Sequence, residues 1–224
     1  MKIRWYGQSA FLLTGAEHRV FIDPFGDLNA SPPREGWSWP FPVIDEDADL
    51  LLLTHDHLDH NGVEAIGGDP VVLDKAGTHE SPIGEVVGIN SEHDAVAGTQ
   101  RGPNTIFRFT LDGTTFAHFG DFGQPALRPE QHEALGDVDV LLLPVGGGPT
   151  IAPDAAAALV RVLGPALVVP MHYRTPGGLE FLDPPDAFLD ALGAGIERLE
   201  TSEAEIEPLL GNGEKPVVAL LAAP

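Results

Sequence analysis

The feature that most constrains this chain is the stretch Thr54-His55-Asp56-His57-Leu58-Asp59-His60, which follows directly on the apolar run Leu50-Leu51-Leu52-Leu53. A continuous apolar run predicts a strand over Leu50–Thr54 buried on both faces, as in a sheet covered by further layers. That strand delivers the chain to His55. In extended backbone residues i and i+2 point the same way, so His55 and His57 can grip one ion. A turn into a helix after them would bring Asp59 and His60 round to a second. Imidazoles and carboxylates at this density are costly unless a metal offsets them, which a chance cluster on a solvated loop does not. The chain contains no cysteine, so any metal is held by nitrogen and oxygen alone. Such donors favour zinc and also suit manganese or iron.

Short apolar runs bounded by Gly, Pro, Asn and Asp recur along the chain and predict many short strands. Residues 2–6, 9–14 and 19–23 read as an antiparallel meander that turns at Gly7-Gln8 and Gly15-Ala16-Glu17. Further strands are predicted at 70–73, 85–89, 105–111, 114–119, 138–143, 166–170 and 216–221, the fourth and third of these joined as a hairpin by Asp112-Gly113. Helices are predicted from near Asp59 to Gly67, from Pro153 to Gly164, and from Pro184-Pro185 to Gly193. Strands first, then a strand–helix–strand alternation, predict two sheets with helices packed outside, a four-layer αββα arrangement in a single domain over residues 1–224. Pro24 to Asp49 reads as a long irregular loop whose Trp37, Trp39 and Phe41 suit either a substrate mouth or a contact between subunits of a homo-oligomer.

A formal charge of -22 repels phosphate backbones and argues against nucleic acid as partner, leaving a small-molecule substrate as the expectation. No apolar run approaches the roughly 18 residues that cross a bilayer, and the start lacks an apolar signal region, so no membrane insertion and a cytoplasmic location are expected. Gly146-Gly147-Gly148 follows a predicted strand, but no Gly-Lys-Ser/Thr follows it, so close backbone packing explains it better than a nucleotide site. His18, His79 and His132 match no motif and are expected to be solvated.

His55-x-His57-x-Asp59-His60 resembles the HxHxDH signature of the metallo-β-lactamase superfamily, and the resemblance extends over nearly the whole chain. It implies an αββα fold with two metal sites at one edge of the sandwich. His93 in Ser91-Glu92-His93-Asp94 then matches the third imidazole on the first ion. Asp121 in His118-Phe119-Gly120-Asp121 matches the carboxylate bridging both ions, and His172 in Pro170-Met171-His172-Tyr173 the last imidazole on the second. Asp23 resembles an acidic residue that orients the ligand loop from behind. His118 fits that kind of role or an ordinary half-buried strand position. Each ligand sits just past a predicted strand, where loops gather at one end of a sheet.

The resemblance further implies a hydrolase in which a water between two ions is acidified and attacks a carbonyl or phosphoryl centre, with Asp59 and Asp121 as the catalytic carboxylates that hold the metals. Arg101-Gly102-Pro103-Asn104-Thr105, Pro144-Val145-Gly146-Gly147 and Pro170-Met171-His172-Tyr173-Arg174-Thr175 resemble the branch that includes ascorbate-phosphate lactonase and N-acyl-phosphatidylethanolamine phospholipase D. Arg101 and Arg174, in loops beside ligand segments, are the candidates to clamp an anionic substrate group. The chain has no room for the inserted cap of the superfamily's nucleases. Two rivals remain on this reading. A diiron redox protein of the same fold would carry a glutamate where this chain has His57, and a non-catalytic metal-binding member would usually have lost ligands that this chain keeps.

Overall fold

The computed structural model describes residues 1–30, 32, 37–210 and 216–224. Its first seven strands are β1 (Lys2–Gly7), β2 (Ala10–Thr14), β3 (Arg19–Ile22), β4 (Glu46–Asp47), β5 (Leu50–Leu52), β6 (Ile66–Gly67) and β7 (Val71–Leu73). The next five are β8 (Gly77–Ser81), β9 (Gly84–Glu92), β10 (Pro103–Leu111), β11 (Thr114–His118) and β12 (Val140–Pro144), with helix α1 (Pro129–Leu135) before the last. Then come α2 (Pro153–Leu163), β13 (Leu167–Met171), α3 (Asp186–Leu192), β14 (Gly195–Arg198), β15 (Glu203–Glu205) and β16 (Val217–Leu220).

Two sheets result. One has the order β15-β1-β2-β3-β5-β7, the other β14-β16-β13-β12-β11-β10-β9-β8, and β4 pairs with β6 as a separate ribbon. The predicted meander is β1 to β3, and the Asp112-Gly113 turn joins β10 to β11. Period-two alternation explains how the first sheet is covered on both sides. Trp5, Phe11, Leu13, Val20, Ile22, Leu50 and Leu52 face the main core, shared with Phe107, Phe109, Phe116 and the apolar faces of α2 and α3. Tyr6, Leu12, Phe21 and Leu51 face the other way, onto Phe25, Leu28, Trp39, Phe41 and Ile44. The outer layer on that side is therefore the Pro24–Asp49 segment, of which Ser31 and residues 33–36 lie outside the described residues. Its aromatics pack on one another, Phe25 edge-on to Trp39 at 5.0 Å and Trp39 edge-on to Phe41 at 5.2 Å. This corrects the expectation for Phe41, which is 6% exposed and serves the core.

The helix expected from near Asp59 to Gly67 does not form. Val63–Ala65 makes one 3₁₀ turn and Ile66–Gly67 is the ribbon strand β6. The reason is tertiary. The Gly62 N–H donates to the Pro24 carbonyl at 2.8 Å, and a Cβ on Gly62 would collide with the backbone of Phe25 and Gly26. Backbone groups committed to another segment cannot close the i→i−4 bonds that nucleate a helix. Conversely, α1 forms where no helix end was read. Pro129 occupies its first position and the Gln131 side chain accepts the Arg128 N–H at 2.8 Å, an N-terminal signature that was legible in the sequence. The unpredicted strands β8, β14 and β15 have no fully buried residue, so no apolar run announced them.

Candidate metal centre

Topology alone brings the predicted ligands together. β3, β5 and β7 run parallel, so the end of β3 at Asp23 and the end of β5 at Thr54 lie at one edge of the first sheet. β2 runs antiparallel to β3, which puts its beginning, and the Gly7-Gln8-Ser9 turn before it, at that same edge. In the second sheet β11, β12 and β13 are parallel, and β9 shares their direction because two antiparallel pairings separate it from β11. His93, Asp121 and His172 each follow the end of one of these strands. The two edges meet through Thr105 N–H to the Thr54 carbonyl at 2.8 Å and His172 N–H to the Gln8 carbonyl at 3.1 Å.

All seven predicted ligands converge. His55, His57 and His93 present donor atoms within 4.8 Å of one another, as do Asp59, His60 and His172, and as do His55, His60 and Asp121. The Asp121 carboxylate lies between the two imidazole sets: Oδ2 is 3.0 Å from His93 Nε2 and 3.2 Å from His172 Nε2, and Oδ1 is 3.4 Å from His60 Nε2. Gly120, just before it, holds φ at 54° in a space where a Cβ would collide with Asn104 Oδ1 and Thr54. That close approach seats the Asp121 loop, whose N–H donates to Asn104 Oδ1 at 3.0 Å.

Behind the ligands stands a set of buried acceptors that fixes their tautomers. Asp23 Oδ2 accepts from His60 Nδ1 at 2.9 Å and from the Thr54 hydroxyl at 2.7 Å, while Oδ1 accepts the Thr54 N–H at 2.8 Å. Because the Thr54 hydroxyl donates to Asp23, it accepts from His55 Nδ1, 3.0 Å away. The Pro149 carbonyl accepts from His93 Nδ1 at 3.2 Å. A protonated Nδ1 in each ring makes Nε2 the nitrogen that His55, His60 and His93 direct at the cluster. Among the described residues His60 Nε2 and His172 Nδ1 are buried without hydrogen-bond partners. His60 Nε2, 3.4 Å from Asp121 Oδ1 and 3.6 Å from Asp59 Oδ2, is an orphaned imidazole nitrogen amid carboxylates, as a metal ligand looks before its ion is counted, so the residues present fit a metal.

The electrostatics agree. Burial, reinforced by the neighbouring His60 and His93, holds His55 well below the ordinary imidazole range, and burial with His93 lowers His57. For His60 burial opposes the charged form, but Asp121, Asp59 and Asp23 outweigh it and push its pKa up. Asp121 is likewise pulled down by His172 and His60 against its own burial. His118 is buried and lowered by desolvation; its Nε2–H donates to the Ser9 carbonyl at 2.9 Å and its Nδ1 accepts the Gly120 N–H at 3.1 Å. It is fully buried rather than half-buried, and it ties the residue before Asp121 to the turn before β2.

Sequence reasoning missed the Gly7-Gln8-Ser9 turn. Gln8 Nε2 donates to Asp59 Oδ2 at 3.1 Å and Ser9 Oγ to Asp121 Oδ1 at 3.2 Å. The Gln8 carbonyl also accepts from Trp5 Nε1 at 2.9 Å. The available signal was Gly7-Gln8 itself, read only as a reversal. Asp94 was missed too. Its carboxylate accepts the N–H groups of Val96, Gly98, Gln100 and Arg101 at 2.8–2.9 Å; these bonds outweigh its desolvation and hold its pKa down at about 2. Of the two candidate clamps, Arg101 is an exposed residue of that loop. Arg174 is exposed and lines a 650 Å³ cleft with Arg198, Glu180 and Asp186 that includes none of the seven ligands. His132 is exposed and His18 and His79 are partly so, and none joins the cluster.

Two packed sheets with seven histidine and aspartate donors at one edge define a metal-site protein of the β-lactamase type. The sequence profile of the Beta-lactamase superfamily domain matches residues 2–172, and the chain belongs to that superfamily. It is 32% identical over 203 residues to a UPF0173 metal-dependent hydrolase of Pyrobaculum arsenaticum, covering 78% of this chain and 85% of that one. A UPF0173 metal-dependent hydrolase of Thermococcus kodakarensis is 31% identical over 209 residues, with the same coverage. Among solved structures, a Thermotoga maritima protein described as a zinc-dependent hydrolase of the metallo-β-lactamase superfamily superposes with a TM-score of 0.78 at 28% identity, over 99% of this chain and 98% of that one.

Proposed function

We propose that this protein is a metal-dependent hydrolase that holds two divalent ions, zinc being favoured, and cleaves a small lactone or phosphoester-type substrate. The observation that carries the reading is the position of the Asp121 carboxylate between two imidazole sets, with acceptors behind His55, His60 and His93 that turn their Nε2 atoms toward it. His55, His57 and His93 would hold one ion, and Asp59, His60 and His172 the other, with Asp121 shared. Bound there, the metals would acidify a water and polarise the substrate oxygen. The chain's own residues do the rest. Ser9 and Gln8 orient the two carboxylates, Asp23 and Pro149 set the rings, and Asp59, whose side chain is 27% exposed, is the carboxylate most open to an incoming substrate.

The names borne by the relatives support hydrolysis, and the three sequence patterns noted above support the branch of ascorbate-phosphate lactonase and N-acyl-phosphatidylethanolamine phospholipase D. An anionic substituent on the substrate would meet Arg174 and Arg198 in the cleft beyond His172. The test is elemental analysis of protein refolded or dialysed with zinc, followed by lactone, carboxylic ester and phosphodiester panels. About two ions per chain and turnover abolished in Asp121→Ala are expected. Protein that binds no transition metal would end the proposal.

A further inference from the structure

A cavity of about 220 Å³ opens beside the metal centre. Its walls are Leu28, Trp37, Trp39, Leu58, Leu179 and Phe181, and Asp59 is the one charged side chain in the lining among the described residues. Asp59 belongs at the same time to the donor group with His60 and His172, so the cavity adjoins the centre at that residue. Leu58 and Phe181 stand at its rim, 60% and 63% exposed. Large apolar side chains held in water next to a reactive site mark a surface that something apolar covers. Trp37 and Trp39 stack at 5.5 Å in its wall.

We infer that the substrate carries an uncharged apolar group, aromatic or short alkyl, that lodges in this cavity while its scissile bond faces Asp59. The volume exceeds the roughly 150 Å³ in which an apolar cavity admits benzene, so a phenyl ring or a chain of similar bulk fits. Anionic groups are disfavoured at this end, because the other described side chains of the lining are apolar and would strip an anion of water without a partner. The inference rests on the hydrolase reading for the orientation of the bond, and on the cavity alone for the chemistry of the guest.

The experiment has two arms. Quenching of indole fluorescence by 4-nitrobenzyl alcohol, a neutral aromatic probe, reads occupancy without turnover. Saturable quenching is expected, weakened about ten-fold or more in the Leu58→Ser, Phe181→Ser double variant, whose exposed positions tolerate the change. In the second arm the zinc-loaded protein is given the p-nitrophenyl esters of acetate, butyrate, hexanoate and monosuccinate. kcat/KM should rise about four-fold per methylene until the cavity is full, and hexanoate should exceed the anionic succinate. Unsaturable quenching that the double variant leaves unchanged, or rates that ignore chain length, would overturn the inference even with hydrolysis intact. Saturable quenching without cleavage of any ester would leave the cavity assigned and remove simple carboxylic esters from the substrates of the hydrolase.

Discussion

Replacing Asp23 by Asn changes one oxygen to an NH2 and little else, because Asn tolerates the positive φ of 50° found here. Oδ1 can keep the Thr54 N–H. The new amide group must then face His60 Nδ1 and the Thr54 hydroxyl, both of which donate to Oδ2 in the native protein. Two donors cannot share a bond, so His60 is driven to the tautomer with its proton on Nε2, the nitrogen needed for the metal. The Thr54 hydroxyl must turn to accept from the amide, which weakens its hold on His55 Nδ1. Loss of such an outer partner costs roughly 10- to 100-fold in metal affinity, or about 1.4–2.8 kcal/mol. Loss of the charge-assisted His60 bond should also cost about 2 kcal/mol of stability, lowering Tm by about 4–8 °C in a chain of this size. Zinc titration against a chromophoric chelator reads the first effect and a thermal melt of metal-stripped protein the second. A folded Asp23→Asn variant with native affinity for both ions would refute the tautomer argument, whatever its melting temperature.

Asp59→Ala and His172→Ala should weaken one ion selectively, His55→Ala and His57→Ala the other, and Asp121→Ala both, as metal stoichiometry of each variant will show; equal loss of both ions from the first four would break the proposed division of ligands. Because three carboxylates push the His60 pKa up, a proton must leave that ring before Nε2 can ligate, so zinc binding near neutral pH should release about one proton and weaken as pH falls; calorimetry in buffers of different ionisation enthalpy would show no buffer dependence if this is wrong. Gly120→Ala should lower stability by about 1–3 kcal/mol, since it strains φ and meets Asn104 and Thr54, and an unchanged melt would contradict the close approach. Arg174→Met should raise KM for an anionic substrate that reaches its cleft and leave metal content intact; unchanged kinetics would remove that clamp.

The ligands were legible because each is announced locally. His55, Asp121 and His172 follow buried strands that are visible as apolar runs, His93 follows the partly buried β9, and strand pairing then places these ends at one edge without further instruction. The segment after His60 was misread for the opposite reason. Its local pattern allows a helix, but the bond from Gly62 to Pro24 and the packing against Phe25 are properties of two segments together, and tertiary contacts override weak helical preference. Trp39 and Phe41 looked like surface aromatics because nothing local shows that Tyr6, Leu12, Phe21 and Leu51 need cover on the outer face of the first sheet.

What no local pattern could show is why the site is held so firmly. Gln8 and Asp59 are 51 positions apart, and Ser9 and Asp121 are 112 apart. Each is an unremarkable polar residue until the sheets meet. Once they do, one turn near the start of the chain restrains Asp59 with a side-chain amide, Asp121 with a hydroxyl, His172 with a backbone carbonyl and His118 with another. The two sheets supply different ligands, Asp59 and His60 from the first, Asp121 and His172 from the second, so sliding of one sheet past the other would pull the donor groups apart. A turn that bonds to ligands of both sheets opposes that motion directly. The placement of the site is therefore a consequence of strand direction, while Gln8 and Ser9, with the Thr105–Thr54 bond, hold the two edges in register.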